Sequence, residues 1–347
     1  MRRMKVAAAM SVAALALAGC GSSTESTPSD SGSGTSAANT LKVGMAYDVG
    51  GRGDQSFNDA AAAGLDKAKK ELGVVTKEAT AVNGEPESSR EERLQQLIDA
   101  GYKDVVAVGF AYAPSVKKVA AANPDAKIAL IDSTDATGPN IENLTFAEQQ
   151  GSFLVGAAAA LKSKTANIGF IGGVNTDLIK KFEAGYTTGA KAVNPAIKIQ
   201  VKYLTQPPDF SGFGDPAKGK TAAEGMYQQG ADVIYAAAGG SGGGLFTAAA
   251  AAKKMAIGVD SDQALTAPAA AKPFIITSML KKVDVATFDF IKSLTQGKFV
   301  AGNKIYDLKA NGVAYSTTGG KIDDIKAKLD AYKQQIIDGK IVVPTKP

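Results

Sequence analysis

Short, almost continuous apolar runs alternate along the chain with longer stretches that are apolar on one face only. The runs KVGMAY (42–47) and DVVAVGF (104–110) carry charge only at their first position, which is typical of strands covered by helices on both faces. Residues 56–72 and 283–296 have apolar residues at helical spacing and a glycine directly after them, which predicts amphipathic helices. Strands that alternate with helices in this way predict an α/β protein with parallel sheets and right-handed crossovers.

The same alternation continues from residue 41 to residue 338. The predicted strands cover 41–49, 74–82, 104–110, 127–132, 166–173, 197–204, 232–238, 256–260 and 273–280, with short strands near 303–308 and 313–315. The predicted helices cover 56–72, 87–100, 114–122, 150–162, 177–192, 219–229, 244–254, 283–296 and 321–338. Residues 143–150 are interpreted as a crossover between two halves of the chain.

These two halves repeat one design at an almost constant separation. The matched pairs are Gly44 with Gly169, Phe57 with Phe182, Gly64 with Gly189, and Asp132-Ser133 with Asp260-Ser261. Each half therefore has a Phe just after its first strand and an Asp at the end of a later one. Ligands of open α/β sheets bind beyond the carboxyl ends of the strands. Two such lobes facing each other predict a cleft lined by two aromatic rings and two carboxylates.

Length and composition are those of a globular protein with two domains. A chain of 347 residues is long for one hydrophobic core, and its 45% hydrophobic and 21% charged residues are ordinary values. The net charge is +5, and Arg2, Arg3 and Lys5 account for much of the excess. Because the rest of the chain is nearly balanced in charge, we predict no nucleic-acid partner.

The absence of histidine and the single cysteine restrict the possible chemistry. They exclude Ser–His–Asp and Cys–His catalysis, the usual zinc sites and an intrachain disulfide. Residues 214–221 match the phosphate-loop pattern, but they do not follow a strand directly and Pro216 removes a donor. Ser241 lies in a nucleophile-elbow pattern without a histidine to activate it. We predict no enzymatic activity, cofactor or metal, although the composition still permits a carboxylate enzyme with an oxygen-ligated ion.

The segment MRRMKVAAAMSVAALALAGC has the basic start, apolar run and small residues of a secretory signal. Its apolar run is shorter than the roughly 20 residues that a membrane-spanning helix needs. LAGC resembles a bacterial lipobox, which predicts removal of residues 1–19 and lipidation of Cys20. Residues 20–40 are rich in Ser, Thr and Gly and predict a flexible tether. We expect a protein held by lipid on the outer face of the cell membrane.

Candidate ligand contacts lie at strand ends and in the first turns of helices. Phe57 and Phe182 occupy matched first turns, which favours a pair of stacking rings over two isolated core residues. Asp132 and Asp260 end apolar strands, where an uncompensated carboxylate is costly. Each aspartate could equally cap the next helix or accept hydrogen bonds from a ligand. Asp54 is expected to cap the first helix.

Other residues of the predicted strand ends are also candidate contacts. Asp48 and Asn58 flank the first loop, and Gly239 lets the backbone approach a ligand at a strand end. Either Lys281 or Lys282 is expected to point into the cleft, and the other to be solvated. Phe110, in GFAYAP, is expected to be a cleft-wall or core residue and not a specific contact.

Several motifs in combination carry a family resemblance. They are DVGGRGDQSFND (48–59), FLVGAAAA (153–160), IGGVNTDLIKKFEAGYTTGA (171–190), GADVIYAAAGGSGGGLFTAA (230–249), IGVDSDQ (257–263) and TSMLKKVDVA (277–286). With these motifs the chain resembles the basic membrane protein family, the purine-nucleoside receptors among bacterial solute-binding lipoproteins of ABC transporters. The resemblance implies a type I periplasmic-binding fold, with two doubly wound parallel-sheet lobes joined by a three-segment hinge. It also implies capture of guanosine, adenosine or inosine and delivery to a permease.

The resemblance carries over to particular residues of this chain. Phe57 and Asn58 match the family's S-F-N motif, and Phe182 matches its second stacking Phe. Asp260 matches the Asp of V-D-S-D, and Lys281 matches the Lys of S-M-x-K. Asp132 and Gly239 match less distinctive positions. Arg52 stands where the family often has an acidic residue. From the order of the elements we expect a first lobe of residues 41–146 plus 273–300 and a second of 147–272 plus 301–347.

Two other functions remain open on the sequence. A receptor for a sugar or an autoinducer would use the same fold, and sugars also stack on aromatic rings. A nucleoside hydrolase with aspartates around a calcium ion would draw several carboxylates from one loop. The candidates here are instead distributed over 48, 132 and 260, which favours the receptor.

Overall fold

The computed structural model describes residues 40–347, so the predicted signal peptide, Cys20 and the tether up to residue 39 lie outside the described residues. The first part of this range contains five strands and three helices. The strands are β1 (Lys42–Tyr47), β2 (Val75–Thr80), β3 (Asp104–Ala107), β4 (Lys127–Ile131) and β5 (Ile141–Phe146). The helices are α1 (Phe57–Leu72), α2 (Glu87–Asp99) and α3 (Ala113–Ala122).

The second part repeats this alternation. Its strands are β6 (Asn167–Val174), β7 (Lys198–Thr205), β8 (Val233–Ala237), β9 (Met255–Asp260) and β10 (Ile275–Lys281). Its helices are α4 (Glu148–Lys162), α5 (Asp177–Val193), α6 (Pro216–Gln228), α7 (Gly242–Ala252) and the short α8 (Gln263–Thr266). The remaining elements are α9 (Val283–Thr295), β11 (Gly302–Tyr306), β12 (Val313–Tyr315) and α10 (Lys326–Ile337).

The strands form two six-stranded sheets with corresponding orders. The first sheet has the order β11-β5-β4-β3-β1-β2 and the second the order β12-β10-β9-β8-β6-β7. All neighbours are parallel except β10 and β12, which are antiparallel. We call the first sheet with α1, α2, α3 and α9 the first lobe, and the second sheet with α4 to α8 and α10 the second lobe. The chain passes between the sheets three times, after β5, after β10 and after β11, which agrees with the predicted three-segment connection.

Two strands lie in the opposite lobe from the predicted one. Residues 273–280 were expected in the first lobe, but β10 pairs with β9 in the second sheet. Residues 301–347 were expected in the second lobe, but β11 pairs with β5 in the first sheet. The connection from β9 to β10 is short, and consecutive strands usually remain neighbours in one sheet. Only α9, within the predicted 273–300 segment, packs in the first lobe, against α1.

The segment interpreted as a crossover at 143–150 also differs from the prediction, because its first half, residues 143–146, belongs to strand β5 and residues 148–150 begin α4. Asn143 and Thr145 interrupt its apolar pattern, yet both lie inside the strand. β5 has the same place in the first sheet that β10 has in the second. The two lobes are therefore more alike than the sequence indicated.

Matched glycines allow helices to pack closely in both lobes. A Cβ atom at Gly64 in α1 would overlap the backbone of Asp284 in α9, and one at Gly189 in α5 would overlap the backbone of Phe153 in α4. No side chain larger than hydrogen fits at either position without moving a helix. The repeated glycines therefore have a packing cause, since each lobe needs a residue without a side chain where two of its helices cross closely.

Candidate functional site

A cavity lies between the two lobes, beyond the carboxyl ends of the parallel strands. It contains about 550 Å³ of space free of protein atoms, part of it open to solvent. All eight predicted contact residues line it: Asp48, Phe57, Asn58, Asp132, Phe182, Gly239, Asp260 and Lys281. Its other lining residues are Val49, Asp54, Gly109, Phe110, Leu178, Ile179, Phe213, Ala237 and Val259. The structure therefore brings the predicted residues together, from both lobes, in one place.

The two matched aspartates have the same backbone conformation. Asp132 follows β4 with φ of 70°, and Asp260 ends β9 with φ of 63°. A non-glycine residue rarely adopts this left-handed conformation, and such strain is common where a side chain must be aimed at a functional site. Burial raises the pKa of Asp132 and of Asp260 to about 6, although the Lys281 charge acts to lower both.

Lys281 is the cation of this cavity wall, and its side chain is only 2% exposed. Its Nζ donates to Asp132 Oδ2 at 2.5 Å and lies 3.3 Å from Glu148 Oε1. Burial acts to lower the pKa of Lys281, but the charges of Asp132, Glu148 and Asp260 outweigh it and raise the pKa above its ordinary value. Lys281 therefore stays charged at physiological pH. Of the two candidate lysines, Lys281 lines the cavity and Lys282 does not.

Phe57 and Phe182 approach the same ammonium group from the two lobes. The Lys281 Nζ lies 5.0 Å from the Phe57 ring centroid and 5.5 Å from that of Phe182, within the range of cation–π attraction. Phe57 is partly buried in the first turn of α1, whereas Phe182 is 3% exposed and also packs in the hydrophobic core of the second lobe. Phe182 thus combines a core position with a face toward the cavity.

The loop between β1 and α1 is held by its own polar side chains. Asn58 Oδ1 accepts from Asp48 N at 3.0 Å, and Asn58 Nδ2 donates to Val49 O and to Asp54 Oδ2. Asp54 also accepts from the backbone N–H groups of Ser56, Asn58 and Asp59, so it caps α1 as predicted. Both ends of the Asn58 amide are used within the loop. This residue shapes the cavity wall and holds Asp48 in place.

Asp48 stands against Gly109 of the β3 end. Gly109 has φ of 106°, and a Cβ atom there would overlap the Asp48 carboxylate. Burial raises the pKa of Asp48 to about 6, while the N–H of Val49 and the charge of Arg90 act to lower it. The cavity therefore has several buried carboxyl groups that are mostly ionised at pH 7 and suited to accept hydrogen bonds from O–H or N–H donors.

Contacts between the lobes close one side of the cavity. Ser56 Oγ of the first lobe donates to Asp260 Oδ2 of the second at 2.7 Å, and Ser261 Oγ donates to Ser56 O at 3.1 Å. Phe110 lines the cavity as expected and packs edge-on against Phe210 of the other lobe, with ring centroids 5.8 Å apart. The described arrangement is thus one in which the lobes touch across the cleft.

Some lining residues had only a weak sequence signal or none. Ile179 lies one helical turn before Phe182 on α5, so helix periodicity could have identified it. Phe213 ends a short 3₁₀ helix (Ser211–Phe213) after β7 and packs on Gly173, and no local pattern marks it. Gly239, with φ of 53°, also contacts this short helix at Phe213 O. Glu148, which pairs with Lys281 from behind the wall, was missed altogether.

The two catalytic-looking motifs have structural roles. Ser241 Oγ donates to Gly212 O and accepts from Asp215 N, both at 2.8 Å, so the hydroxyl anchors a loop. Residues 214–221 contain the start of α6, where Asp215 caps the helix and Pro216 is its first residue. Within residues 40–347 no group of three or more acidic or cysteine side chains is arranged to hold a metal ion. No helix in that range is both long enough and apolar enough to cross a membrane.

Comparisons with known proteins agree with this geometry. A family model described as PnrA-like ABC transporter substrate-binding protein matches residues 41–346. The ABC transporter nucleoside-binding protein BmpA of Lactococcus lactis is 34% identical over 333 residues, which are 91% of this chain and 92% of that protein. An uncharacterized lipoprotein of Pyrococcus abyssi is 37% identical over 291 residues, 80% of this chain and 69% of the relative.

A solved structure has the same fold. The solute-binding protein of an ABC transporter system from Aeropyrum pernix K1 superposes with a TM-score of 0.76 at 32% identity, over 88% of this chain and 94% of that one. The two facing lobes and their three connections are therefore the type I periplasmic-binding fold that the sequence predicted.

Proposed function

The chain belongs to the family of PnrA-like ABC transporter substrate-binding proteins, and we propose that it captures a purine nucleoside between Phe57 and Phe182 and delivers it to an ABC importer. Members of this family are extracytoplasmic binding components of transporters and not enzymes. What is proposed for this chain is the identity of the ligand, the residues that hold it and the delivery step.

The observation that supports a nucleoside best is the combination of two rings with a polar wall. Phe57 and Phe182 contribute apolar faces, and Asp48, Asp132 and Asp260 contribute acceptors within the same cavity. A flat heterocycle can stack between rings while its attached sugar presents hydroxyl groups to carboxylates. The name of the Lactococcus relative, a nucleoside-binding protein, points the same way.

The expected affinity follows from these contacts. Stacking on one aromatic face contributes about 1–3 kcal/mol per base. A hydrogen bond to a charged group contributes about 1.5–3 kcal/mol. The costs of association and of ordering the two lobes reduce this sum. We expect a dissociation constant of about 1 μM or lower for guanosine, adenosine or inosine.

The membrane location is proposed from the N-terminal segment. Cleavage before Cys20 and lipidation of its thiol would leave both lobes outside the cell on a tether of residues 20–40. Mass spectrometry of the protein purified from membranes tests this proposal. The expected result is an N-terminal peptide that begins at Cys20 and carries acyl chains, and an uncleaved N-terminus would contradict it.

The first experiment on function is calorimetric titration of residues 41–347, a range that keeps both lobes entire. The ligands are guanosine, adenosine, inosine, uridine and ribose. Strong binding of the purine nucleosides, weak binding of uridine and none of ribose are expected. Tight ribose binding would favour a sugar receptor instead, and release of free base during long incubation with inosine would favour a hydrolase.

A bound ligand from the expression host would mask binding in this titration. The protein is therefore unfolded in denaturant, dialysed, refolded and titrated again. If no purine nucleoside binds after this treatment, the proposed ligand class is wrong.

A further inference from the structure

Glu148 is a buried carboxylate behind the cavity wall. It is the first residue of α4, directly after the first crossing between the lobes, and its side chain is 1% exposed. Neither of its oxygens has a hydrogen-bond partner. A buried charge without hydrogen bonds is costly unless nearby opposite charges compensate it. Glu148 therefore requires an explanation that the fold alone does not supply.

Two cations and a helix terminus compensate this charge. The Lys281 Nζ lies 3.3 Å from Glu148 Oε1, and the Lys181 Nζ lies 3.6 Å from Glu148 Oε2. The positive end of the α4 macrodipole favours an anion in the first turn. Lys181 is 34% exposed and water screens it, so the buried Lys281 is the stronger partner.

The position of the Lys281 ammonium relative to Asp132 shows what this pairing does. Lys281 Nζ donates to Asp132 Oδ2, while Asp132 Oδ1 is buried and has no hydrogen-bond partner, and Asp132 is one of the residues that line the cavity. An ammonium group with no other anion beside it would be drawn to both oxygens of the carboxylate. Here it is shared between Asp132 and Glu148, which lie on different elements.

We propose that Glu148 is a positioning residue that holds the Lys281 ammonium to one side of Asp132, so that Asp132 Oδ1 stays free to bind the ligand. The site then offers an acceptor on Asp132 beside a donor on Lys281. A hydroxyl group both donates and accepts, so it matches this pair. The part of the inference that concerns the ligand rests on the proposed function, and the part that concerns Lys281 does not.

The first test needs no ligand. The chain is labelled with nitrogen-15 at the lysine side chains, and the ammonium signals are recorded by NMR in the wild type, Glu148→Gln and Glu183→Gln. Glu183 is the matched control, because it lies beside Phe182 on α5 but hydrogen-bonds to Tyr203 and does not line the cavity. The Lys281 signal is identified as the exchange-protected signal that is lost in Lys281→Met. If Lys281→Met fails to fold, the signal that shifts in Asp132→Asn identifies it instead.

We expect Glu148→Gln to shift the Lys281 signal and to speed its hydrogen exchange, and Glu183→Gln to leave it in place. A Lys281 signal that is unchanged in Glu148→Gln would overturn the inference whatever the protein binds. This outcome is independent of the titration that tests the proposed function.

The second test is a double-mutant cycle on guanosine affinity. We expect Glu148→Gln to weaken binding about tenfold or more, the size of one lost charge-assisted hydrogen bond. In an Asp132→Asn background, where no carboxylate oxygen is left to keep free, the same substitution should change the affinity less than about twofold. Equal effects in both backgrounds would mean that Glu148 acts on the fold and not through Asp132. If the wild type binds no purine nucleoside, the proposed function fails and the NMR result decides the inference alone.

Discussion

Asp132 and Asp260 occupy equivalent places in the two lobes. The repeated fold determines their position and burial, but it does not determine their partners. Both stand at the carboxyl end of the fourth strand of their lobe, both have a left-handed backbone, and burial raises the pKa of each to about 6. The repeat therefore determines where each carboxylate stands and how far it is removed from water.

The partners of the two carboxylates differ. Asp132 of the first lobe is held by Lys281, which ends a strand of the second lobe, and Asp260 of the second lobe is held by Ser56, which precedes the first helix of the first lobe. Each aspartate is thus bound by the opposite lobe, but one partner is a buried cation and the other a neutral hydroxyl. Because the two aspartates have equivalent positions but different partners, substitution of the partner should have very different effects in the two lobes.

The largest difference is expected when each partner is removed. Lys281→Met leaves the buried Asp132 without its cation and Glu148 with only the partly exposed Lys181, and should lower the free energy of unfolding at pH 7 by about 3–5 kcal/mol. Ser56→Ala removes one neutral hydrogen bond to Asp260 and should cost about 1 kcal/mol. Urea denaturation of the ligand-free variants measures both.

Lys282→Met is the control for this pair, because the neighbouring lysine does not line the cavity and should change stability by less than about 0.5 kcal/mol. Similar losses in Lys281→Met and Ser56→Ala would show instead that the two aspartates are held equally.

The two phenylalanines extend the comparison. Phe182 is 3% exposed within a hydrophobic core, so Phe182→Ala should lower the free energy of unfolding by about 3–5 kcal/mol. Phe57 is only partly buried, and Phe57→Ala should cost clearly less. Both variants should weaken guanosine binding at least about tenfold, since each loses one stacking face. Calorimetry at a temperature where both variants are folded measures this, and an unchanged affinity in either would remove that ring from the site.

The sequence identified residues that line one cavity better than it predicted the topology, and their contact with a ligand stays a prediction. The eight site residues could be chosen because strand ends and first helical turns are recognisable locally, and parallel strands bring their ends to one edge. The exchange of β10 and β11 between lobes was not predictable in this way, since a strand sequence does not encode which sheet accepts it. The strand at 273–280 was expected in the first lobe because it follows the strands that complete the second one. The polar Asn143 and Thr145 also concealed β5, which belongs to the first sheet.

Glu148 and Phe213 were missed for another physical reason. Glu148 falls in the segment interpreted as a crossover, before the predicted helix 150–162, where an acidic residue is ordinarily solvated, so no local pattern marked it. Its burial arises only when Lys281 arrives from a strand far along the chain. Phe213 ends a single 3₁₀ turn, which is too short to show a period in the sequence. Residues whose role depends on distant elements therefore need the structure.

The smallest expected effect concerns the ionisation of Asp260. Its pKa is about 6 in the folded protein and near 3.8 without burial, so the folded state binds this proton more tightly and the ionised carboxylate destabilises the fold above pH 6. Asp260→Asn should therefore be more stable than the ligand-free wild type at pH 7, by about 1–3 kcal/mol, and the difference should fade as the pH drops from about 6 to 4. The Asn side-chain oxygen can still accept from Ser56, which keeps the contact between the lobes.

Asp104→Asn is the control, because burial also raises the pKa of Asp104 to about 6 although Asp104 lies outside the cavity. This variant should gain some stability and keep its guanosine affinity. Asp260→Asn should instead bind guanosine about tenfold more weakly. An Asp260→Asn variant that is less stable than the wild type at pH 7, or that is stabilised as much at pH 4 as at pH 7, would contradict this prediction. It would mean that the ionised Asp260 carboxylate does not destabilise the fold and that Ser56 holds it as completely as Lys281 holds Asp132.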